Sequence, residues 1–216
     1  MMGAGLGFLD AFFEAISGVT TTGLSTKATL VGAPQTFLFA RAWMQWYGGL
    51  GILVLSLALV MQPGLVAKDL AATETETDDL VGGTRAHAQR VLKVYGALTA
   101  AGIIGSLSVG VEFFDAVLYT FGAVSTGGFA PHDSSLATLG RPAQGWITLL
   151  CLAGAIPLTF YHRMLQKRRR VAADFLQLQA VVIASLVVSL AVGATMRLSA
   201  GTAWPQIIHH APLLAL

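Results

Sequence analysis

The chain has 216 residues, of which 55% are hydrophobic and 11% are charged, and its formal net charge is +2. This composition predicts a membrane protein, and no basic patch interleaved with aromatic residues supports a nucleic-acid partner. Its one cysteine, Cys151, excludes a disulfide within one chain, and no nucleophile, base and orienting group have the spacing of a catalytic site.

The first predicted unit, residues 1–62, contains a short apolar helix at 8–19, a Thr/Gly segment at 20–24 and a long apolar span at 42–62. The ten helical residues that end at Val19 reach only ~15 Å, about half of the hydrocarbon core of a bilayer. An interfacial helix is the alternative, but such helices usually have Lys or Arg on their polar face, and this one has neither. We therefore predict a helix that re-enters the protein interior.

A polar linker at 63–90 separates this unit from a second one, residues 91–161. Its predicted parts are a span at 94–111, a short helix at 113–124, a Thr/Gly segment at 125–129 and a span at 143–161. A basic loop at 162–174 follows, and residues 175–216 are predicted to hold the leading span of a third, truncated unit. The fold class is thus all-α, with four full spans and two re-entrant helices.

The two units are copies of each other. A shift of 105 residues aligns FLDAFFEAISGVTTTGL with FFDAVLYTFGAVSTGGF and gives six identities in seventeen positions: Phe8/Phe113, Asp10/Asp115, Ala11/Ala116, Val19/Val124, Thr21/Thr126 and Gly23/Gly128. Trp46 and Trp146 precede the next apolar runs. The second copy consists of a span, a short re-entrant helix, a Thr/Gly strand and a span, and the first copy lacks its leading span.

Charge predicts the orientation. If each short helix enters and returns on one side, residues 63–90 and 162–174 face the same side, which then has nine of the thirteen Lys and Arg when Lys93 at the mouth of its span is included. The positive-inside rule places these basic loops in the cytoplasm and both Thr/Gly segments toward the exterior. The KRRR run is also compatible with contact to anionic lipid.

The Thr/Gly segments have the residue types of a cation filter. The C-terminal end of a helix dipole favours a cation, and carbonyl oxygens can replace its hydration shell where glycine permits the required φ. Gly23 and Gly128 occupy the same register, and hydroxyls flank them in both segments. Because no carboxylate is needed, we expect a weakly hydrated monovalent cation rather than Ca²⁺ or Mg²⁺.

At these motifs, together with QWYGGLGILVL, the sequence resembles the Trk/Ktr/HKT potassium transporter superfamily, and most closely a TrkH-like membrane subunit. The resemblance implies a fold like fused potassium-channel subunits and an ion-binding selectivity filter for K⁺. The implied filter residues are Thr21, Thr22, Gly23 and Leu24 in the first repeat and Thr126, Gly127, Gly128 and Phe129 in the second. It implies no cofactor, with K⁺ as the transported ion, and leaves open symport with Na⁺ or H⁺.

The resemblance also implies a multi-pass protein of the bacterial inner membrane. Its expected partners are lipid, the remaining pore repeats in the same chain, in a separate chain or in a second copy that forms a homodimer, and a cytoplasmic nucleotide-binding regulatory subunit. Since only two pore repeats are present, we expect that this chain alone does not support selective potassium uptake. The alternative function is a non-conducting fragment or scaffold whose repeats serve packing.

Other residues have structural interpretations. Asp10 and Asp115 are expected to cap the short helices rather than attract ions, and Pro157 is expected to kink the last span of the second repeat. The glycines of WYGGLGI are predicted to serve helix packing, with a gating hinge as the alternative. His132 and Asp133 are predicted to form a loop turn or a cap.

Overall fold

The computed structural model of the chain describes residues 5–60, 77–156 and 171–200. These residues form six α-helices: α1 (Phe8–Val19), α2 (Gln35–Val60), α3 (Thr77–Ser108), α4 (Phe113–Val124), α5 (Arg141–Ala155) and α6 (Val171–Ala200). A 3₁₀ turn covers Ser135–Thr138. No β-strand occurs among the described residues, so the all-α class is confirmed. The prediction of filter strands at 20–24 and 125–129 is wrong in this respect, because both segments are irregular backbone.

The short helix α4 lies at the centre of the described fold. It packs against α2, α3 and α5, whereas α1 packs mainly against α2. All residues of α4 from Leu118 to Val124 are buried. On α1, by contrast, Leu9, Phe12 and Ile16 are exposed. A short apolar helix surrounded on several sides ends inside the protein, and α4 therefore positions the second Thr/Gly segment there.

The helix α2 begins directly after Pro34 and thus before the predicted start of the span at residue 42. The prediction placed the boundary after Arg41 because a charge was assumed to lie outside the span. In the structure Arg41 is buried, and its guanidinium lies 3.1 Å from the carboxylate of Glu14. An ion pair lets a buried charge remain in an apolar helix, so the helix starts earlier.

The helix α3 also begins earlier than predicted, at Thr77, inside the segment 63–90 that was expected to be a polar linker. It ends at Ser108 rather than at residue 111, with Gly110 in the left-handed region at φ 85°. The N–H groups of Gly110 and Val111 donate to the carbonyls of Leu107 and Ser106, which is the Schellman arrangement that ends many helices.

The helix α5 ends at Ala155, whereas the predicted span ran from 143 to 161 with a kink at Pro157. Ile156 has an extended backbone with ψ 132°. A residue before proline is disfavoured in the helical region, which accounts for the end of α5 at this point. The predicted kink at Pro157 itself falls outside the described residues. The rest of the predicted span, 157–161, lies outside the described residues. The last helix, α6, begins at Val171, within the predicted basic loop 162–174.

Within the parts of the chain that are described, one window, Val91–Ser108, is long and apolar enough to cross a membrane by length and composition. Gln179–Thr195 is a shorter apolar helix segment. The predicted spans 42–62 and 143–161 both extend beyond the described residues. Large apolar side chains such as Ile104, Leu149 and Leu190 are more than half exposed on the surface of the helices. Such a surface is suited to contact with lipid rather than water.

Candidate functional site

The two short helices end in the same way. In α1, the N–H of Thr21 donates to Gly18 O (3.0 Å) and the N–H of Thr22 donates to Ser17 O (2.9 Å). In α4, Thr126 donates to Ala123 O (3.1 Å) and Gly127 donates to Gly122 O (2.8 Å). Both are Schellman motifs, and both turn the chain sharply at the C-terminal end of the helix dipole.

The residue that makes each turn is an unusual one. Thr21 has φ 55° and Thr126 has φ 51°, so both threonines are in the left-handed region. At this position glycine is the common residue, as at Gly110 after α3, because a side chain costs about 1–2 kcal/mol there. Strain of this kind is concentrated at functional sites. The described backbone has such threonines only at these two equivalent places.

Gly23 and Gly128 bring the two segments into contact. Both have φ 79°, which favours glycine. A Cβ built on Gly23 would lie 3.1 Å from the Cα of Gly128 and would collide with the carbonyl oxygen of Gly127. The first Thr/Gly segment (residues 20–24) and the second Thr/Gly segment (residues 125–129) therefore meet at the level at which the sequence repeat aligns them.

Several carbonyl oxygens near this contact accept no hydrogen bond from the part of the chain that the structure describes. Among the described residues, none donates to the carbonyls of Thr21, Thr22, Gly23, Thr126 or Gly128. The last carbonyl of the first segment, that of Leu24, instead accepts a bond from the hydroxyl of Ser17 (2.6 Å). Backbone carbonyls that the protein does not pair are available to water or to a cation.

Gln45 on α2 holds the second segment from within the protein. Its side chain is fully buried, its Nε2 donates to Gly127 O, and its Oε1 accepts a bond from Phe129 N (3.1 Å). The ring of Phe129 is buried and stacks under the guanidinium of Arg41, at 3.9 Å from ring centre to Cζ. Phe129 was predicted as a filter residue, and only its backbone remains suited to that role.

Glu14 on α1 holds the end of the first segment in a comparable way. Its carboxylate accepts bonds from the hydroxyl of Ser25 (2.5 Å) and the N–H of Thr26 (2.8 Å), and it pairs with Arg41. The residue in the same register of α4, Tyr119, donates its hydroxyl hydrogen bond to Ser135 O (2.8 Å) in the loop after the second segment. Each short helix thus fixes the loop that follows its own Thr/Gly segment.

The loops after the two segments are joined to each other. Asp133 accepts bonds from the hydroxyl of Thr29 (2.6 Å) and the N–H of Leu30 (2.7 Å). These bonds, first that of the hydroxyl and then that of the N–H, hold the pKa of Asp133 below its usual value. The prediction that Asp133 lies in a loop turn is confirmed, since the N–H of Ser135 donates to His132 O (2.9 Å). Its side chain, in addition, connects the two repeats.

The predicted capping role of the first-turn aspartates is wrong. The N-cap residues are Gly7 and Glu112, and neither helix has a side-chain cap hydrogen bond. Asp115 instead lies 2.7 Å from Nε2 of His132, in the loop after the second Thr/Gly segment.

Glycines on the long helices α2 and α5 permit close packing against the ends of the short helices. A Cβ on Gly48 would lie 2.7 Å from the carbonyl carbon of Val19, and one on Gly154 would lie 2.8 Å from Val124 O. The long helices α2 and α5 therefore touch the ends of α1 and α4 directly. The neighbouring Gly49 faces Ser125, with a Cβ distance of 3.0 Å to its side chain, so it also borders the second segment. This contact favours the packing interpretation of these glycines.

The structure brings the predicted residues of both segments together, but sequence reasoning missed Gln45 and assigned Arg41 to a loop. Arg41 and Gln45 are polar residues in an otherwise apolar stretch of α2, and this was the feature of the sequence from which their roles could have been inferred. The part of the chain that is described contains no group of three His, Cys, Asp or Glu that could hold a metal ion.

Comparison with known proteins gives a consistent result. Residues 1–199 match the TrkH family model, described as a cation transport protein. The chain is 34% identical over 147 residues to the Trk system potassium uptake protein TrkH of Escherichia coli, covering 66% of this chain and 30% of that protein. It is 30% identical over 203 residues to the Trk system potassium uptake protein TrkI of Halomonas elongata, covering 91% of this chain and 41% of that protein. The chain thus spans less than half of the length of these relatives.

Proposed function

The chain belongs to the TrkH family of cation transport proteins, and from this premise we propose that it is a pore-forming membrane part of a potassium uptake system. Its two Thr/Gly segments supply carbonyl oxygens that replace the hydration shell of K⁺. The names of the relatives, which are potassium uptake proteins, support K⁺ as the transported ion.

The observation that supports this proposal most is the set of carbonyls beside the Gly23–Gly128 contact that accept no hydrogen bond from residues 5–60, 77–156 or 171–200. Two segments from different repeats reach the same level, each after a helix whose C-terminal dipole end favours a cation. The carboxylate of Glu14 is already engaged by Ser25, Thr26 and Arg41. Selection then depends on carbonyl dipoles, which suit a weakly hydrated monovalent ion better than a divalent one.

The remaining parts of the proposal concern the assembly. Two repeats supply two sides of an ion path, so further pore repeats, from the same chain or another copy, complete it. We place the basic loops in the cytoplasm of a bacterial cell and the Thr/Gly segments toward the exterior, in line with the distribution of Lys and Arg. A cytoplasmic nucleotide-binding subunit is the proposed regulatory partner.

The test is uptake of radioactive Rb⁺ by cells of the encoding organism in which the gene is deleted and then restored. Restoration of the parental gene should return Rb⁺ uptake that external K⁺ suppresses and external Na⁺ does not. Equal uptake by the deleted and restored cells would support the alternative, a non-conducting scaffold whose repeats serve packing.

A further inference from the structure

We propose that Gln45 is a positioning residue of the cation site: it fixes the second Thr/Gly segment and removes the Gly127 carbonyl from the set that faces the ion. This inference rests on the proposed function of that segment. The side-chain amide engages backbone groups on both sides of Gly128, as donor to Gly127 O and acceptor from Phe129 N. The two peptide groups that flank Gly128 are therefore oriented by one side chain.

The identity of residue 127 supports this role independently. Gly127 is not among the glycines with positive φ, so its backbone conformation does not require glycine. A Cβ at this position would instead lie 2.5 Å from Cδ of Gln45 and 2.6 Å from its Oε1. Glycine at 127 thus makes room for the amide of Gln45.

The first segment has no such arrangement. Thr22 occupies the register of Gly127, and its hydroxyl lies 2.8 Å from that of Thr20. Among the described residues, no side chain donates to the carbonyl of Thr22. At this level the Thr22 carbonyl of the first repeat accepts no bond from a described residue, whereas the Gly127 carbonyl of the second repeat accepts one from the amide of Gln45. The cation site is therefore asymmetric, which weakens coordination at this level and helps an ion to leave.

The position of Gln45 is itself well fixed. It is fully buried on α2, one helical turn after Arg41, and Arg41 packs on the ring of Phe129. A buried amide that loses its partner leaves an unsatisfied polar group, so the bonds to Gly127 and Phe129 are expected to persist.

Two substitutions of Gln45 distinguish the role of its hydrogen-bond donor, Nε2, from that of its acceptor, Oε1. Gln45→Glu keeps the size and an acceptor for Phe129 N–H but removes the donor to Gly127 O, whereas Gln45→Met removes both. The matched control is Gln144→Met on α5. Gln144 is also buried and donates to two carbonyls, Leu136 O (3.1 Å) and Leu139 O (2.9 Å), but these lie in the loop between the second Thr/Gly segment and α5.

Uptake of Rb⁺ and of Na⁺ is measured in gene-deleted cells restored with each allele, and is divided by the amount of protein in the membrane. We expect Gln45→Glu to lower the ratio of Rb⁺ to Na⁺ uptake about tenfold, the effect of losing about one hydrogen bond, and Gln45→Met, which loses both bonds, to lower it at least as much. Gln144→Met should keep the parental ratio even if it reduces the amount of protein. If the Gln45 variants do not accumulate, the inference is tested in purified parental protein by hydrogen exchange, where the Phe129 amide should be as protected as amides within α4.

A parental ratio in both Gln45 variants, at a parental amount of protein, would overturn the role of Gln45 while leaving the proposed function intact. Rapid exchange at the Phe129 amide would overturn it as well. If the parental gene restores no Rb⁺ uptake at all, the proposed function fails, and the inference fails with it.

Discussion

Gly23 and Gly128, one from each repeat, are in backbone contact, and the room for a side chain differs between them. A Cβ on Gly23 would collide with Gly127 O, whereas the nearest atom to a Cβ on Gly128 is the Cα of Gly23 at 3.7 Å, an ordinary contact. Both glycines have φ 79°, so both would suffer the conformational cost of a side chain.

We therefore predict that Gly23→Ala is more harmful than Gly128→Ala. In Gly128→Ala the only cost is that of a side chain in the left-handed conformation, about 1 kcal/mol. Gly23→Ala has the same cost and must also displace the second segment. The ratio of Rb⁺ to Na⁺ uptake should fall for both variants and fall further for Gly23→Ala. The control is Gly105→Ala on α3, whose Cβ would collide with Trp146, so it should lower the amount of protein and not the ratio. Equal ratios in parent and both variants would refute the filter assignment.

A second prediction concerns the strained Thr21. Replacement by glycine should raise the free energy of unfolding by about 1 kcal/mol, because glycine adopts φ 55° without the penalty of a β-branched side chain. Thr22→Gly is the control: Thr22 is not left-handed, and the change removes its contact with the hydroxyl of Thr20, so it should be destabilising. Thermal unfolding in lipid nanodiscs measures both. A loss of stability in Thr21→Gly would mean that its side chain has a stabilising contact in the folded protein.

The buried pair of Glu14 and Arg41 leads to a third prediction. Arg41→Met should destabilise the protein by roughly 3–5 kcal/mol, because it leaves the Glu14 carboxylate buried without its counter-charge. Adding Glu14→Gln should recover part of this loss, since the amide can still accept the bond from Thr26 N–H. Unfolding of the two single variants and the double variant gives the coupling energy. Additive losses would show that the two charges do not interact.

The fourth prediction is a pH dependence of the contact between the two loops that follow the Thr/Gly segments. Because hydrogen bonds from Thr29 and Leu30 lower the pKa of Asp133, its carboxylate stabilises the contact at pH values above the unfolded pKa of about 4. This stabilisation is lost as pH falls through the lower pKa of the folded state. Exchange of the Leu30 amide, corrected for its intrinsic rate, should therefore accelerate at acidic pH. Asp133→Ala should show the rapid exchange at every pH, and a pH-independent parental rate would contradict the prediction.

Sequence reasoning located the short helices because their apolar residues end abruptly at Thr/Gly runs, and α1 and α4 have the bounds expected for these helices. The ends of the long helices were predicted less well, because charged residues were assumed to lie outside the spans. Arg41 shows why this fails: its partner Glu14 lies on another element, and a pairing across 27 residues has no local pattern. The role of Gln45 was missed for the same reason, since its partners follow it by more than eighty residues. The residue-level function of both segments stays a prediction.

The last prediction concerns the side of the membrane on which the two loops after the Thr/Gly segments lie. The bonds between Asp133 and the backbone and hydroxyl of residues 29–30 place the loops of both repeats together, so both must face the same side. The distribution of Lys and Arg predicts that this side is the exterior. Ser134 is exposed and next to this contact, so an impermeant thiol reagent added to intact cells should label Ser134→Cys. Gln166→Cys, in the predicted cytoplasmic loop outside the described residues, should react only after the cells are opened. Both variants are made with Cys151→Ala, so that the native thiol does not contribute. Labelling of residue 166 but not residue 134 in intact cells would invert the topology, and the Thr/Gly segments would then face the cytoplasm.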